Sequence, residues 1–281
     1  MSRVSAATRI AGVIGDPVRH SLSPAIHNAA FAEAELDWVF LAFEVADGEA
    51  AIAVAGARAL GVDGLSVTMP HKATVIEALD RLTPTAERLG AVNAIVREGT
   101  RFVGHSTDGA GLVDSLAFDE GFAVEGTRAV VVGAGGAARA VVLALADAGA
   151  SEIVIVNRTA ANAERAAALA GTAGRVGTED DVRTADLVVN ATPLGMIGNV
   201  DQAAIDPSLF HTNQLVVDLV YSPPITPTIR AARAAGAHAI GGLGMLVHQA
   251  ALAFTLWTGQ DAPLPAMSAA AISALAHADA R

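Results

Sequence analysis

Short runs of β-branched residues alternate along this chain with longer, alanine-rich stretches of helical periodicity. This alternation predicts an α/β fold, in which helices connect the strands of a mainly parallel sheet. In the first part of the chain, the predicted strands, the last two forming a hairpin, are Ala11–Ile14, Val39–Phe43, Val62–Ser66, Asn93–Arg97 and Arg101–Gly104. The helices predicted in the same part are Pro24–Ala34, Gly48–Leu60, Pro70–Arg81 and Gly109–Phe118.

A second alternating series begins after Gly126. Its predicted strands are Arg128–Val132, Ile153–Val156, Leu187–Val189, Val216–Leu219 and Ala239–Ile240. Two helical patterns, Leu243–Trp257 and Pro265–Ala276, then close the chain. The two series predict two domains that meet near Asp108–Gly126, and periodicity does not decide to which of them the last two helices belong.

The composition narrows the function classes. Of 281 residues, 52% are hydrophobic and 17% charged, which is typical of a folded chain with a substantial core. Cysteine is absent, so disulfides, thiolate metal sites and cysteine nucleophiles are excluded, and the eight histidines lack the paired spacing of a metal site. A net charge of −11 with 4% aromatic residues argues against binding of nucleic acid. Because neither a membrane-spanning stretch nor a signal peptide is recognisable, we expect a cytoplasmic protein that does not bind to a membrane.

The segment Arg128–Arg139 combines a strand, a glycine turn and the start of a helix. Gly133, Gly135 and Ala138 have the GxGxxG/A spacing of dinucleotide-binding folds. There the first glycine permits a tight turn, the second lets the backbone approach a pyrophosphate, and the small third residue allows the helix to pack on the strand. The alternative is a plain glycine turn, but the strand before it and the helix after it favour a dinucleotide site.

The second strand of this unit is followed by Asn157, Arg158 and Thr159. An NAD site usually carries a carboxylate here to bind the ribose 2′-hydroxyl, whereas a guanidinium attracts the 2′-phosphate of NADP. The sequence therefore favours NADP, and the alternative is a solvated arginine at the end of a strand.

Lys72 is the only lysine among the 18 lysine and arginine residues. It falls in the first turn of the predicted helix Pro70–Arg81, where the positive end of the helix dipole disfavours a cation. Broken local rules tend to mark functional sites, and a compact ammonium suits proton exchange. A general acid and a solvated surface lysine are both compatible with this pattern.

Further polar candidates lie at predicted turns or at the ends of predicted elements. They are Ser21, Ser23, Asn93, Asp108, Tyr221 and Gln249. Each has a structural alternative: Ser23 and Asp108 could cap helices, and Gln249 could simply face water.

Taken in order, these segments resemble the shikimate dehydrogenase family. The matching segments are Gly15-Asp-Pro-Val-Arg-His-Ser-Leu-Ser-Pro24, Val67-Thr-Met-Pro-His-Lys72, Gly90-Ala-Val-Asn93, Thr107-Asp-Gly109, Gly133-Ala-Gly-Gly-Ala-Ala138, Asn157-Arg-Thr159, Asn190-Ala-Thr-Pro-Leu-Gly195, Asp218-Leu-Val-Tyr221 and Gly242-Leu-Gly-Met-Leu-Val-His-Gln249. The resemblance implies an α/β substrate-binding catalytic domain at residues 1–108, to which residues 243–281 return, and a Rossmann-type NADP-binding domain at residues 109–242. It also implies an oxidoreductase that acts on a CH–OH group and reversibly reduces 3-dehydroshikimate to shikimate, in chorismate and aromatic amino acid biosynthesis.

The resemblance also implies roles for individual residues. Lys72 and Asp108 would form the catalytic pair. The residues implied in substrate binding are Ser21, Ser23, Ser66, Thr68, Asn93, Tyr221 and Gln249. The residues implied in NADP binding are Gly133, Ala134, Gly135, Gly136, Ala137, Ala138, Asn157, Arg158, Thr159, Thr192, Gly242 and Met245. No metal is implied.

Two positions depart from the family pattern. Ser66 stands where many members have an asparagine that contacts the substrate, and Asn162 stands where the NADP loop often has a second arginine, with Arg165 one helical turn further on. These departures keep open a quinate/shikimate or aminoshikimate dehydrogenase with relaxed use of substrate or NAD. A non-catalytic NADP-binding regulatory module is also open, whereas the missing cysteine and the acidic charge disfavour glutamyl-tRNA reductase. No pattern encodes the oligomeric state, and a homodimer is left open.

Overall fold

The computed structural model of the chain describes residues 4–196, 199 and 201–279. These residues form two compact units. The first unit contains the residues up to Thr107 together with those from Val247 onward, and the second unit is Asp108–Leu246. Each unit has its own six-stranded sheet with helices packed on it, so the predicted α/β fold is confirmed.

The first unit contains a mixed sheet in the order β2-β1-β3-β5-β6-β4. The strands β2, β1 and β3 run parallel, and β5 and β6 form the predicted antiparallel hairpin. The strands are β1 (Arg9–Gly15), β2 (Trp38–Glu44), β3 (Gly64–Val67), β4 (Arg81–Leu82), β5 (Ala94–Glu98) and β6 (Arg101–His105). The helices are α1 (Ser23–Glu33), α2 (Ala50–Ala59) and α3 (Pro84–Leu89), with a short 3-10 helix at Thr74–Ala78.

The second unit contains a parallel sheet in the order β12-β11-β10-β7-β8-β9. Counted within the unit, this is the strand order 3-2-1-4-5-6 of a Rossmann fold, whose order reverses between β7 and β10. The strands are β7 (Arg128–Val132), β8 (Glu152–Val156), β9 (Gly174–Val176), β10 (Leu187–Asn190), β11 (Leu215–Asp218) and β12 (His238–Gly241). The helices are α4 (Asp108–Phe118), α5 (Gly136–Asp147), α6 (Ala160–Ala168) and α7 (Pro227–Ala234). Both faces of the sheet are buried, since the neighbours Val130 and Val131 belong to separate apolar clusters.

Two helices close the chain, α8 (Leu243–Thr258) and α9 (Leu264–Asp279). From Val247 onward they belong to the first unit, where α9 packs on α1. The indole nitrogen of Trp257 donates to the carbonyl of Ile95 at 3.0 Å, which ties α8 to the centre of the sheet. The sequence pattern alone did not assign these helices to either unit.

The predicted helix Pro70–Arg81 is wrong. The segment instead forms turns, the 3-10 helix Thr74–Ala78 and the short strand β4. Its backbone is held by tertiary partners: the carbonyl of Lys72 accepts from Val92 at 2.7 Å, and the amide of Asp80 donates to Phe102 at 3.0 Å. Groups used in this way are not available for an uninterrupted series of helical hydrogen bonds.

Among the described residues, the short elements β4, β9 and α3 were not predicted, and neither were the 3-10 helices at Thr74–Ala78, Gly171–Ala173, Glu179–Thr184 and Pro207–Leu209. Helix α3 nevertheless has clear signals in its sequence. Thr83 caps its start by accepting from Ala86, Pro84 occupies the first helical position, and Gly90 ends the helix in a left-handed conformation with φ of 59°. Attention to caps, and not only to apolar periodicity, would have found it.

Candidate active site

Asn93 is the centre of a buried polar cluster in the first unit. It lies directly before β5, and only 4% of it is exposed. Its Nδ2 donates to the Thr107 hydroxyl at 2.9 Å, and its Oδ1 accepts from the Thr107 amide at 2.7 Å. Both ends of the Asn93 amide are therefore fixed by a single residue of the neighbouring chain segment.

Gln249 joins the same cluster from α8. Its Oε1 accepts from Asn93 Nδ2 at 3.3 Å, and its backbone carbonyl accepts from the Thr107 hydroxyl at 3.1 Å. The structure thus brings together two of the predicted substrate-binding residues, and it rejects the alternative in which Gln249 only faces water. Thr107 was not predicted as a site residue, because in the sequence it reads only as the residue before a helix.

Lys72 lies in the turn between β3 and the 3-10 helix and is half-buried. The expected dipole of a regular helix does not act on it, because its turn does not continue into an α-helix. Its carbonyl accepts from Val92, the residue before Asn93. This backbone hydrogen bond places the turn that carries Lys72 beside the strand end that carries Asn93.

Ser21 and Ser23 lie at the start of α1. The helix begins at Ser23 itself, and Leu22 in the capping position makes no side-chain capping bond. The helix cap considered for Ser23 is therefore wrong. The Ser23 amide donates to the Ser21 hydroxyl at 3.3 Å, so the two residues form one local hydroxyl pair at a helix N-terminus, where backbone N–H groups favour an anion.

Ser66 and Thr68 lie at the end of β3. Ser66 is buried and pairs with Val13 of β1 and Ala94 of β5. The Thr68 amide donates to Ile14 at 3.0 Å. Gly15 is required beside it, because a Cβ at this glycine would lie 2.3 Å from the Thr68 methyl carbon.

The glycine turn of the second unit follows β7, as predicted. Gly133 has φ of 114°, and a Cβ there would approach the carbonyl oxygen of Ala191 to 2.9 Å. Gly135 caps α5, which begins at Gly136, and Ala138 is fully buried in the core beneath that helix. Ala134 and Ala137 complete the turn and the first helical turn. This is the arrangement in which a helix N-terminus offers unpaired N–H groups to a pyrophosphate, so these residues fit NADP.

A buried network lies at the ends of β10 and β11. The carboxylate of Asp218 accepts from Asn190 at 2.9 Å, from the Thr226 hydroxyl at 2.6 Å and from the amide of Val220 at 3.1 Å. Burial raises the pKa of Asp218, and these three hydrogen bonds oppose that rise. Because Asn190 Nδ2 faces Asp218, its Oδ1 faces Thr192, whose hydroxyl donates to it at 2.7 Å and whose amide donates at 3.0 Å. Asp218 thus orients Thr192 through Asn190, next to the strand where the sheet order reverses.

The segment after β8 carries the predicted 2′-phosphate residues. Arg158 and Thr159 are exposed, and the Asn157 side chain donates to the Thr159 carbonyl at 3.0 Å. An exposed guanidinium at the carboxyl end of this strand suits a 2′-phosphate. Arg165 donates a hydrogen bond to Asn162, so this guanidinium lies over the first turn of α6.

The remaining predicted residues lie elsewhere in the second unit. Asp108 begins α4 and is buried. Tyr221 follows β11, and burial raises the pKa of its phenol. Gly242 is packed so closely that a Cβ there would lie 2.1 Å from the carbonyl oxygen of Leu219. Met245, in the first turn of α8, packs on the apolar core.

Within the described residues, no group of three or more His, Cys, Asp or Glu side chains could hold a metal ion. No helix in the same part of the chain combines the length and the apolar character needed to cross a membrane.

Models of known families match most of the chain. The shikimate dehydrogenase substrate binding domain matches residues 13–95. The shikimate/quinate 5-dehydrogenase family matches residues 115–243, and the shikimate 5′-dehydrogenase C-terminal domain matches residues 242–272.

Whole proteins match over nearly their full lengths. The shikimate dehydrogenase (NADP+) of Moorella thermoacetica is 47% identical over 95% of this chain and 94% of its own. That of Methanopyrus kandleri is 46% identical over 97% of this chain and 98% of its own. The crystal structure of the Thermus thermophilus shikimate 5-dehydrogenase with NADP(H) and shikimate has a TM-score of 0.89 at 36% identity, and it covers 95% of this chain and 100% of its own. The protein described here is a member of the shikimate dehydrogenase family.

Proposed function

We propose that this protein is an NADP-dependent shikimate dehydrogenase, an oxidoreductase that reversibly reduces 3-dehydroshikimate to shikimate in chorismate and aromatic amino acid biosynthesis. The observation that carries the proposal is the cluster of Asn93, Thr107 and Gln249, whose buried amides and hydroxyl lie beside the turn of Lys72 in the first unit. Amides and hydroxyls suit a ligand with several ring hydroxyls, because such groups can both donate and accept hydrogen bonds. The relatives at 46–47% identity that are named shikimate dehydrogenase (NADP+) support the same activity.

The first unit is proposed to bind the substrate. Ser21 and Ser23 would bind the carboxylate, with the N–H groups at the start of α1. Thr68, Asn93 and Gln249 would bind ring hydroxyls, with Ser66 as a further contact. Their fixed side chains would orient the ring before the chemical step, and this orientation lowers the entropy that must be lost in the transition state. Tyr221, which belongs to the second unit, is also proposed to contact the substrate.

Lys72 and Asp108 are proposed as the catalytic pair. During reduction, Lys72 would donate a proton to the oxygen that becomes the hydroxyl, and during oxidation it would take that proton back. Asp108 would stabilise the ammonium form of Lys72 and fix its position. General acid–base catalysis of this kind contributes about 10²- to 10⁴-fold to a rate.

The second unit is proposed to bind NADP. Residues 133–138 would bind the pyrophosphate, Asn157, Arg158 and Thr159 the 2′-phosphate end, and Thr192, Gly242 and Met245 the remainder of the cofactor. When bound, the oxidised cofactor would accept the hydride from shikimate, and the reduced cofactor would donate it to 3-dehydroshikimate. The cytoplasmic location stays a prediction, and so does the homodimer.

A quinate/shikimate dehydrogenase is the second candidate. It is favoured by Ser66, a short, buried hydroxyl at a position where the family pattern often has an asparagine that contacts the substrate. The quinate dehydrogenase of Corynebacterium glutamicum, crystallised with NAD, has a TM-score of 0.87 at 31% identity, and it covers 95% of this chain and 99% of its own. Comparing kcat/KM for shikimate and quinate, each with NADP and with NAD, separates the two candidates.

The test of the mechanism is the substitution Lys72→Met. We expect kcat for shikimate oxidation to fall about 10³-fold, with the Kd of NADPH unchanged, because proton transfer is lost while the cofactor site is intact. Arg101→Met, at the exposed first residue of β6 in the same unit, is the matched loss of a cation and should leave kcat unchanged. A Lys72→Met enzyme with nearly wild-type kcat would falsify the proposed mechanism.

A further inference from the structure

His71 precedes Lys72 and has no role in the site described above. Its side chain is fully buried, so its ring does not reach a ligand at the surface of the unit. Its Nε2 lies 2.7 Å from the backbone carbonyl oxygen of Val45, the residue after β2. The ring therefore connects the turn of Lys72 to a strand that is remote in sequence.

The protonation of the ring follows from this contact. A carbonyl oxygen only accepts hydrogen bonds, so Nε2 must carry a proton. The opposite nitrogen, Nδ1, is buried and has no hydrogen-bond partner among the described residues. A second proton there would be a buried charge without a counterpart, so the neutral Nε2–H tautomer fits the structure.

Both ends of the contact are anchored. The amide of Val45 donates to the carbonyl of Gly15 at the end of β1, at 3.1 Å. On the other side, the amide of His71 donates to the carbonyl of Thr68 at 2.9 Å, and its carbonyl accepts from Val75 at 3.0 Å. The next carbonyl along the chain, that of Lys72, is the one that accepts from Val92. The Lys72 backbone thus lies between a tether to Val45, just after β2, and a tether to Val92, just before β5.

We propose that His71 is a positioning residue for catalysis: its Nε2–H bond to Val45 fixes the turn that places the Lys72 ammonium. This inference rests on the proposed role of Lys72. An apolar side chain of similar size would fill the same volume without burying an unpartnered nitrogen. Packing alone therefore does not require a histidine at this position, whereas the hydrogen bond to Val45 requires a side-chain donor. A displacement of about 1 Å at a catalytic group can lower the rate about 100-fold.

Substitution of His71 by glutamine or by asparagine buries the same amide group, but only glutamine can keep the hydrogen bond to Val45. In His71→Gln, the amide nitrogen is as many bonds from Cβ as Nε2 of histidine, so it can donate to Val45. In His71→Asn, the same amide is one bond too short to reach Val45. We expect kcat for shikimate oxidation to fall about 30- to 100-fold in His71→Asn and to stay within about threefold of wild type in His71→Gln. The KM for shikimate and the Kd of NADPH should change less than about threefold in both, because the binding residues are not displaced.

His71→Leu gives a third measurement, since it keeps an apolar volume and removes the donor. Its kcat should match that of His71→Asn. Combined with Lys72→Met, it should cause no further loss of kcat, because His71 acts through Lys72. A ¹⁵N NMR spectrum of histidine-labelled protein should contain the signal of a ring protonated at Nε2 alone that is missing from His71→Gln, whereas the signal of the other fully buried ring, His27, should remain.

Several outcomes would overturn the inference. It is wrong if His71→Asn keeps wild-type kcat, if His71→Gln loses as much as His71→Asn, or if the double variant loses more than Lys72→Met alone. If His71→Leu does not fold, which circular dichroism would show, the Gln and Asn variants still decide. The failure of the proposed function is a different result: a Lys72→Met enzyme that keeps its kcat, whatever the His71 variants do.

Discussion

The two units place their functional groups in different ways. In the second unit, the glycine turn is local: Gly133, Gly135 and Ala138 lie within six residues, and the backbone itself offers the binding groups. In the first unit, the polar cluster is assembled from distant segments, since Asn93 bonds to Thr107 and Gln249, which are 14 and 156 residues away along the chain. The glycine turn of the second unit therefore depends on backbone conformation, whereas the polar cluster of the first unit depends on side-chain hydrogen bonds.

This difference decides which substitutions each unit tolerates. A backbone site is damaged by any Cβ that the turn cannot accept, whatever its chemistry. A side-chain site is damaged by loss of a single hydroxyl or amide, even where the volume is kept, because the partner is then buried without a hydrogen bond. Substitutions of each kind should therefore affect one ligand and not the other.

Of the effects on ligand binding, the largest is expected from Gly133→Ala. With φ of 114° and the Ala191 carbonyl oxygen 2.9 Å from the new Cβ, the turn must change its conformation. Strain of about 1–3 kcal/mol predicts NADPH binding weakened about 100-fold, with the Kd of shikimate unchanged. Fluorescence titration measures the Kd of NADPH, and calorimetry measures the Kd of shikimate. The control is Gly56→Ala in α2, where the new Cβ meets open space. Equal losses for both ligands would break the comparison.

A smaller effect is expected from Thr107→Val, and it should fall on shikimate binding and not on NADPH binding. The substitution keeps the shape but removes the hydroxyl that accepts from Asn93 and donates to the carbonyl of Gln249. At about 1–2 kcal/mol for the unpaired groups, the KM for shikimate should rise about tenfold while the Kd of NADPH stays unchanged. Thr107→Ser, which keeps the hydroxyl, should restore most of the affinity. Steady-state kinetics with shikimate would refute the role of the hydroxyl if valine and serine behave alike.

The smallest expected effect is on the stability of the first unit and comes from a histidine in its core. His27 is fully buried between Phe40 and Trp257, with ring centroids 4.4 and 5.0 Å away, and burial lowers its pKa to about 3. The unfolded chain then binds more protons than the folded one between pH 6.5 and about 3, so stability is lost as the pH falls through that window. Between pH 7 and pH 5.5, this group should remove about 1 kcal/mol from the free energy of unfolding.

His27→Phe should remove that part of the acid sensitivity. Urea unfolding of both proteins at the two pH values measures it, and His277→Gln on the exposed side of α9 is the control. A difference between wild type and His27→Phe that stays constant with pH would show that the imidazole is not kept neutral by its burial.

Local patterns predicted most of the fold. The five predicted strands of the second unit, its glycine turn and the hairpin of the first unit lie within one or two residues of their predicted positions, because alternation and glycine spacing act over a few residues. The helix predicted at Pro70–Arg81 was wrong for the same reason: its apolar periodicity is helical, but hydrogen bonds to Val92 and to Phe102 of β6 take its backbone groups. The roles of Thr107 and His71 had no local signal, since each depends on a partner that is far away in sequence.

The sequence by itself determined the α/β alternation, the dinucleotide turn, the arginine that favours NADP and the single lysine. These are properties of residue type and short spacing, which constrain the backbone wherever the segment lies. Only the tertiary structure decided that Asn93 bonds to both Thr107 and Gln249, that Asp218 orients Thr192 and that His71 ties the turn of Lys72 to Val45. Side-chain hydrogen bonds act over about 3 Å, so two residues can share one only after the fold has brought their backbones together.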